Sequence, residues 1–114
     1  MTSGTKTTIY PVSDIAQAKA LFSTWLGVEP EMDAPYYVGF KVGNQDIGLD
    51  PNGHAKGITG PVGYVHVDDI RQRLQRLLDA GAQPKQDITD VGGDRRIASV
   101  SDADGNIIGL LQDA

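Results

Sequence analysis

Val12-Ser13-Asp14-Ile15 returns about 55 residues later as Val67-Asp68-Asp69-Ile70, and the chain between is repeated with it. Gly27-Val28-Glu29-Pro30 recurs as Gly81-Ala82-Gln83-Pro84, and Ile47-Gly48-Leu49 recurs as Ile108-Gly109-Leu110. Any one match is weak. Three in the same order, at offsets of about 54 to 61 residues, indicate a duplicated unit of roughly half the 114-residue chain.

Each unit opens with a strand. Thr7–Val12 is β-rich, with Pro11 marking a strand end because it has no N–H to give a ladder. Val62–Val67 is its counterpart. A helix follows. Asp14 and Asp69 are N-cap residues with Gln17 and Gln72 three positions on, the capping-box spacing. Ala18, Leu21, Phe22, Trp25 and Leu26 form one apolar stripe, and Ile70, Leu74, Leu77 and Leu78 form the other. Gly27 and Gly81 stand where a left-handed C-terminal residue belongs, and Pro30 and Pro84 prevent continuation.

Three short strands complete each unit, near Glu31-Met32, Tyr36–Val42 and Asp46–Asp50, then near Gln86–Asp90, Arg95–Ser101 and Asn106–Gln112. Gly43-Asn44 makes the first hairpin, and Asp102-Ala103-Asp104-Gly105-Asn106 is the turn before the last strand. Residues 51–61, rich in glycine, read as a mobile linker between modules at 6–50 and 62–113 of a single domain. The reading is an α+β fold: two βαβββ modules, each a curved mixed sheet with one helix on its convex face.

Composition bounds the function. Apolar residues make up 39% of the chain, enough for one core, and charged residues 22%. No apolar run approaches the ~20 residues of a membrane span, and Met1–Lys6 lacks the apolar segment of a secretory signal. Cytoplasmic residence is the default expectation, with no membrane partner. Without cysteine there is no disulfide, no thiolate nucleophile and no Cys-ligated zinc. A net charge of −5 argues against nucleic acid. Arg71, Arg73 and Arg76 read as the solvated face of a helix, and Arg95-Arg96 as a surface strand start. Gly92-Gly93 is not a phosphate loop, since no Gly-Lys-Ser/Thr follows.

Together these motifs resemble the vicinal oxygen chelate superfamily of glyoxalases, bleomycin-resistance proteins and extradiol dioxygenases. Val12-Ser13-Asp14-Ile15, the helix with Leu21-Phe22, and Leu26–Pro30 are similar to the first module of that family. Val67–Ile70 with Asp79–Ala82 looks like the second, and Asp102–Asn106 resembles its D-P-D-G-N turn with Ala103 in place of proline. The likeness covers nearly the whole chain and is specific for fold rather than function.

Members that are metalloenzymes hold a divalent metal on the concave face. Counted from the motifs, the resemblance puts the ligand positions at Thr7, Gly48, Val62 and Gly109. Glycine and valine offer no side-chain donor and threonine is a weak one. A slip of one residue, to Lys6, Ile47, Gly63 and either Ile108 or Leu110, does not rebuild the set. The expectation is therefore no metal and no cofactor.

Strand alternation then names what the concave face carries instead. With Val62 inward, Tyr64 and His66 are inward, and Val65 and Val67 face the helix. Thr7, Ile9 and Pro11 share that inward parity, as do Asp46, Gly48 and Asp50, and Ile107, Gly109 and Leu111. Tyr37, Gly39 and Lys41 are inward if Val38, Phe40 and Val42 face the helix. Ile97, Ser99 and Ser101 complete the face. Gly48 and Gly109 are expected to leave room where the metal would sit.

The candidate ligand-binding residues are Tyr37, Lys41, Asp46, Asp50, Tyr64, His66 and Ser99, with His66 the candidate general base. Plainer roles stand beside these. His66 can be a half-buried histidine tied to Asp68, Tyr64 or backbone, and Asp46 and Asp50 can be solvated strand ends. The two tyrosines can be packing or interface residues, Trp25 a packing residue, and His54 a solvated loop residue.

The favoured function is a metal-independent small-molecule binder. It is similar to the antibiotic-sequestering members, which hold drugs in clefts of a homodimer. An aromatic or cationic compound is the expected ligand. The alternatives are a lyase, isomerase or dioxygenase using a relocated metal or none, and a structural or regulatory dimer with a vestigial cavity. The resemblance implies a homodimer, and it is compatible with a cleft within one chain or across two.

Overall fold

Asp14 and Asp69 both start helices as their spacing requires: each carboxylate accepts from the backbone N–H three residues on, at Gln17 (3.1 Å) and Gln72 (3.0 Å). In the computed structural model, which describes residues 4–113, the order is β1 (Thr5–Pro11), α1 (Ile15–Leu26), β2 (Met32–Ala34), β3 (Tyr37–Val42), β4 (Gln45–Asp50), then β5 (Val62–His66), α2 (Ile70–Asp79), β6 (Gln83–Asp90), β7 (Arg96–Ser101) and β8 (Ile107–Gln112). This is the expected α+β pair of βαβββ modules. Contacts divide the chain into one body of residues 6–62 and a second of residues 63–113 with residues 4–5.

In the first body the strands run β2-β3-β4-β1, with β4 antiparallel to β3 and parallel to β1. Val38, Phe40 and Leu49 are buried against α1 through Ala18, with Tyr10, Val12, Ile15, Phe22 and Leu26 around them. The helix stripe differs from expectation. Ile15, Ala18, Phe22 and Leu26 face the sheet, whereas Leu21 and Trp25 are each 66% exposed. Phe22 takes the central place and stacks edge-on to Tyr10 (5.0 Å) and Trp25 (5.6 Å). That rotation carries Leu21 and Trp25 to the flank. Val42, expected beneath the helix, is exposed at the hairpin end of β3. Gly27 closes α1 at φ 72°, the left-handed conformation its position predicted.

In the second body the order is β5-β8-β7-β6, with β8 parallel to β5 and antiparallel to β7. Val67, Ile70, Ala98 and Leu110 form the core beneath α2, with Val65, Leu74, Leu77 and Ile88 packed on it. The Ile70 N–H donates to Gln112 Oε1 at 2.7 Å, which ties the start of α2 to the end of β8. β6 begins at Gln83, earlier than expected. It passes through Pro84 by breaking register between Pro84 and Gln86 and again before Thr89, the irregular pairing a proline-bearing strand adopts.

Residues 51–60, between the modules, carry local structure of their own. His54–Lys56 forms a short 3-10 turn, Gly53 and Ile58 are buried, and Gly53 lies against Pro11. No described helix is long and apolar enough to cross a membrane.

Candidate functional site

The core memberships fix which way each strand faces. Tyr10, Val12, Val38, Phe40, Ile47 and Leu49 look toward α1, so Ile9, Tyr37, Gly39, Lys41, Asp46, Gly48 and Asp50 look away from it. In the second body Val65, Val67, Ala98 and Leu110 look toward α2, so Tyr64, His66, Ser99, Gly109 and Leu111 look away. Each half thus presents a sheet face without a helix, and the candidate residues lie on these faces.

On the first face, Met32, Gly39, Gly48 and Ile9 form one row across β2, β3, β4 and β1. Tyr37 lies across the two glycines. A methyl group built on Gly48 would sit 2.7 Å from Tyr37 Cζ and 2.9 Å from Cε1; one built on Gly39 would sit 3.3 Å from Cε2. On the second face Gly109 lies between Tyr64 and Ser99 in register. A methyl on Gly109 would come within 2.5 Å of Tyr64 Cε2 and 2.9 Å of Cγ. The space expected above Gly48 and Gly109 is therefore occupied by the two tyrosine rings. A glycine in a sheet often marks the close approach of another group, and here that group is a ring of the same chain.

The charged candidates are paired locally. Lys41 Nζ lies 3.4 Å from Asp46 Oδ1, in the directly cross-strand position. Asp50 Oδ1 accepts from the Asn52 N–H (2.8 Å), and its Oδ2 accepts from Lys56 Nζ (3.0 Å). Its side chain is only 14% exposed, so it clasps the linker to β4. His66 Nδ1 lies 3.7 Å from Asp113 Oδ2, and Asp113 Oδ1 accepts from Arg95 Nε at 2.7 Å. His66 pairs in register with Leu111, which sets Asp113 diagonally beside it on the same face. Ser99 and Tyr64 are both buried.

Four of these partners, Asp113, Arg95, Lys56 and Gly39, were not among the sequence candidates as such. Gly39 was within reach, because the Gly43-Asn44 hairpin fixes the register that sets Gly39 opposite Gly48. His54 lies in the 3-10 turn and is exposed, consistent with a solvated loop residue.

The four positions that the resemblance assigns to a metal do not fit one. Thr7 and Val62 are each 1% exposed, and Gly48 and Gly109 lie under rings. Among the described residues no three His, Cys, Asp or Glu side chains gather as a metal site would require.

Comparison with known proteins agrees with this architecture. No curated protein matches the chain in sequence. Among solved structures, one described as NAD-dependent benzaldehyde dehydrogenase from Legionella pneumophila superposes with a TM-score of 0.76 at 13% identity, covering 95% of this chain and 98% of that one. A glyoxalase/bleomycin resistance protein/dioxygenase superfamily member from Vibrio splendidus 12B01 gives 0.71 at 19%, covering 94% and 97%. Methylmalonyl-CoA epimerase from Mycobacterium tuberculosis gives 0.71 at 19%, covering 99% and 89%. At such identities these structures establish the fold alone. The model of the Glyoxalase/Bleomycin resistance protein/Dioxygenase superfamily matches residues 5–110, so the chain belongs to that superfamily.

Proposed function

We propose that this protein is a metal-independent binder of a small organic molecule, aromatic or cationic, held on a sheet face turned away from its helix. An antibiotic is one such compound, and sequestration would then be the protein's work. The observation that carries the reading is Tyr37, a half-buried ring lying across Gly39 and Gly48. Where metalloenzymes of the superfamily need donors, this chain has glycine backbone covered by aromatic carbon. Aromatic surface with a few placed polar groups is the usual lining of a small-molecule site. Superfamily membership supports the reading, as does the fold shared with an epimerase named for a CoA substrate. A homodimer in the cytoplasm goes with this proposal; sedimentation checks the dimer.

The test has two arms. Elemental mass spectrometry of the untagged protein is expected to find no stoichiometric metal, and Ni²⁺, Zn²⁺, Mn²⁺ and Fe²⁺ are expected to leave the melting temperature unchanged, since a metal bound by the native state would raise it. Calorimetry against a panel of aromatic and cationic compounds is expected to find saturable binding. One metal per chain, or no binding across the panel, would overturn the proposal.

A second reading draws on the Arg95–Asp113–His66 arrangement. A carboxylate fixed by arginine can orient an imidazole for acid–base work without a metal, as an isomerase or lyase needs. Loss of a proton-exchange activity in His66→Gln, with melting unchanged, would favour it over the binder.

A further inference from the structure

The chain has three asparagines, and one of them is followed by glycine. Asn44 precedes Gln45 and Asn106 precedes Ile107, whereas Asn52 precedes Gly53 at the start of the linker. An asparagine loses its side-chain nitrogen when the backbone nitrogen of the next residue attacks its Cγ. Glycine in that place hinders the attack least, because it has no Cβ and the widest backbone freedom. The state of the side-chain amide separates Asn52 from Asn106 as well. Asn106 Nδ2 donates to Asp102 Oδ2 at 2.9 Å. Asn52 is exposed, and among the described residues its side-chain amide has no hydrogen-bond partner.

The attacking atom, by contrast, is restrained. Gly53 is buried, and its N–H donates to the Asp50 carbonyl at 3.2 Å, the long end of the range for such bonds. Asp50 holds the turn from several sides. Its carbonyl also accepts from the Val12 N–H (3.1 Å), its Oδ1 from the Asn52 N–H (2.8 Å) and its Oδ2 from Lys56 Nζ (3.0 Å). Packing also dictates the glycine: a methyl on Gly53 would sit 2.6 Å from Pro11 Cβ and 3.0 Å from its Cα. The seat that requires glycine at 53 thus creates the reactive dipeptide.

We propose that Asn52 is a site of spontaneous deamidation held in check by the Asp50–Lys56 clasp. The proposal is independent of the binder reading. Gly53 N gives its proton to hydroxide and bonds to Asn52 Cγ, and the side-chain nitrogen leaves as ammonia with a proton from water. Water then opens the succinimide ring at either carbonyl, leaving aspartate or isoaspartate at position 52. Ring closure needs the two atoms within about 3–3.5 Å and free to close further. The bond to Asp50 and the contact with Pro11 oppose that movement. The reaction therefore proceeds from locally opened turns, at a rate set by how often the turn opens. Either product puts a new carboxylate two residues from Asp50, where it competes for Lys56, and isoaspartate also lengthens the main chain by one carbon.

Full-length wild type, Lys56→Met and Lys19→Met are incubated at mildly alkaline pH and physiological temperature, and the wild type also in urea above its unfolding midpoint. Peptide mapping by mass spectrometry follows the mass gained when the amide NH2 becomes OH, and electron-transfer fragmentation separates aspartate from isoaspartate. Lys19→Met is the control, because it breaks an ion pair of like length, Lys19–Asp33 at 2.9 Å, between α1 and β2 of the same body.

The expected result is conversion at Asn52, with Asn44 and Asn106 at least about tenfold slower. Unfolded wild type reacts at least about tenfold faster at Asn52 than folded wild type, and folded Lys56→Met at least about threefold faster, while Lys19→Met stays within about twofold. Conversion first at another asparagine, or none at Asn52 in folded Lys56→Met, overturns the proposal. So does a folded wild type that reacts as fast as the unfolded chain, or a Lys56→Met rate that wild type or Lys19→Met matches. Should Lys56→Met fail to fold, Lys56→Gln takes its place with the same outcomes.

Discussion

Replacing Gly109 by alanine adds one methyl group where Tyr64 already lies. The new carbon would sit within 2.5 Å of Tyr64 Cε2 and 2.9 Å of Cγ, against the roughly 3.5–4.0 Å at which carbons attract. The ring has little room to give. Tyr64 is 2% exposed, and Ser99 and Leu111 on the same face are 5% and 1% exposed. Expelling it would forfeit burial of about 150–250 Å², worth roughly 4–6 kcal/mol at about 25 cal/mol per Å². Displacing it within the packing costs about 1–3 kcal/mol, so displacement wins. A distance short by an ångström places the cost near the upper end, and alanine returns about 0.5–1 kcal/mol because it orders more easily in a strand than glycine. The net expectation is a loss of about 2 kcal/mol, read by urea unfolding with an unchanged m value. Tyr64→Ala removes every ring atom the methyl would meet, Cγ included, so Gly109→Ala made in that background is expected to cost at least about 1 kcal/mol less than in the wild type. Gly39→Ala is the internal contrast: its methyl would meet Tyr37 Cε2 at 3.3 Å and Met32 Cβ at 3.7 Å, and a change within about 0.5 kcal/mol is expected. A Gly109→Ala protein within about 0.5 kcal/mol of wild type, or one whose effect adds independently to Tyr64→Ala, would refute the ring-on-glycine reasoning.

Other expectations follow from the same packing and caps. Leu49 is fully buried at the centre of the first core, so Leu49→Ala should cost about 3 kcal/mol in the same urea assay. Asp69→Ala removes the bond to the Gln72 N–H and should cost about 1 kcal/mol, with loss of helical circular dichroism ahead of the main transition. Asp102 accepts from Asn106 Nδ2 and from the N–H groups of Asn106 and Asp104; these bonds hold its carboxyl below the ordinary 3.8. A depressed folded pKa means the stabilisation is complete above the unfolded value and disappears as pH falls through the folded one. Melting measured between about pH 5 and pH 2 should therefore fall less steeply in Asp102→Asn than in the wild type.

What the sequence made legible is what local chemistry and strand parity determine. The capped helix starts at Asp14 and Asp69, the left-handed close at Gly27 and the outward face of each strand all depend on residues a few positions apart. The parts that escaped depend on distant partners. His66 was weighed against Asp68, Tyr64 and backbone, all near it in sequence. Asp113, whose Oδ2 lies 3.7 Å from His66 Nδ1, was not weighed, because it becomes adjacent only when β5 and β8 run parallel with His66 beside Leu111. In the linker the glycines are visible in sequence, while the Asp50–Lys56 clasp and the seat of Gly53 on Pro11 are not. Leu21 and Trp25 fitted a helical stripe equally well until the size of Phe22 decided the rotation. The glycines were read as space because a missing side chain is visible in sequence and the neighbour that fills its place is not.

The two glycines are covered from different places in the two halves. Gly48 is flanked in register by Ile9 on its parallel neighbour and Gly39 on its antiparallel one; Gly109 is flanked by Tyr64 and Ser99 in the same places. The ring over Gly48 therefore comes from β3, two residues before the antiparallel partner, and the ring over Gly109 comes directly from the parallel partner β5. Had one ancestral tyrosine been duplicated, it would stand at Ile9 to match Tyr64, or at Ile97 to match Tyr37. Neither does, so the two halves cover their glycines by different geometries. The physical demand common to both is that a strand glycine leaves its neighbours without contacts on one side, a loss an overlying ring restores. The two solutions then separate by exposure. Tyr64 is sealed, while Tyr37, next to the short edge strand β2, keeps contact with solvent. Stability asks only for the sealed kind, which is why the search for a ligand begins at Tyr37.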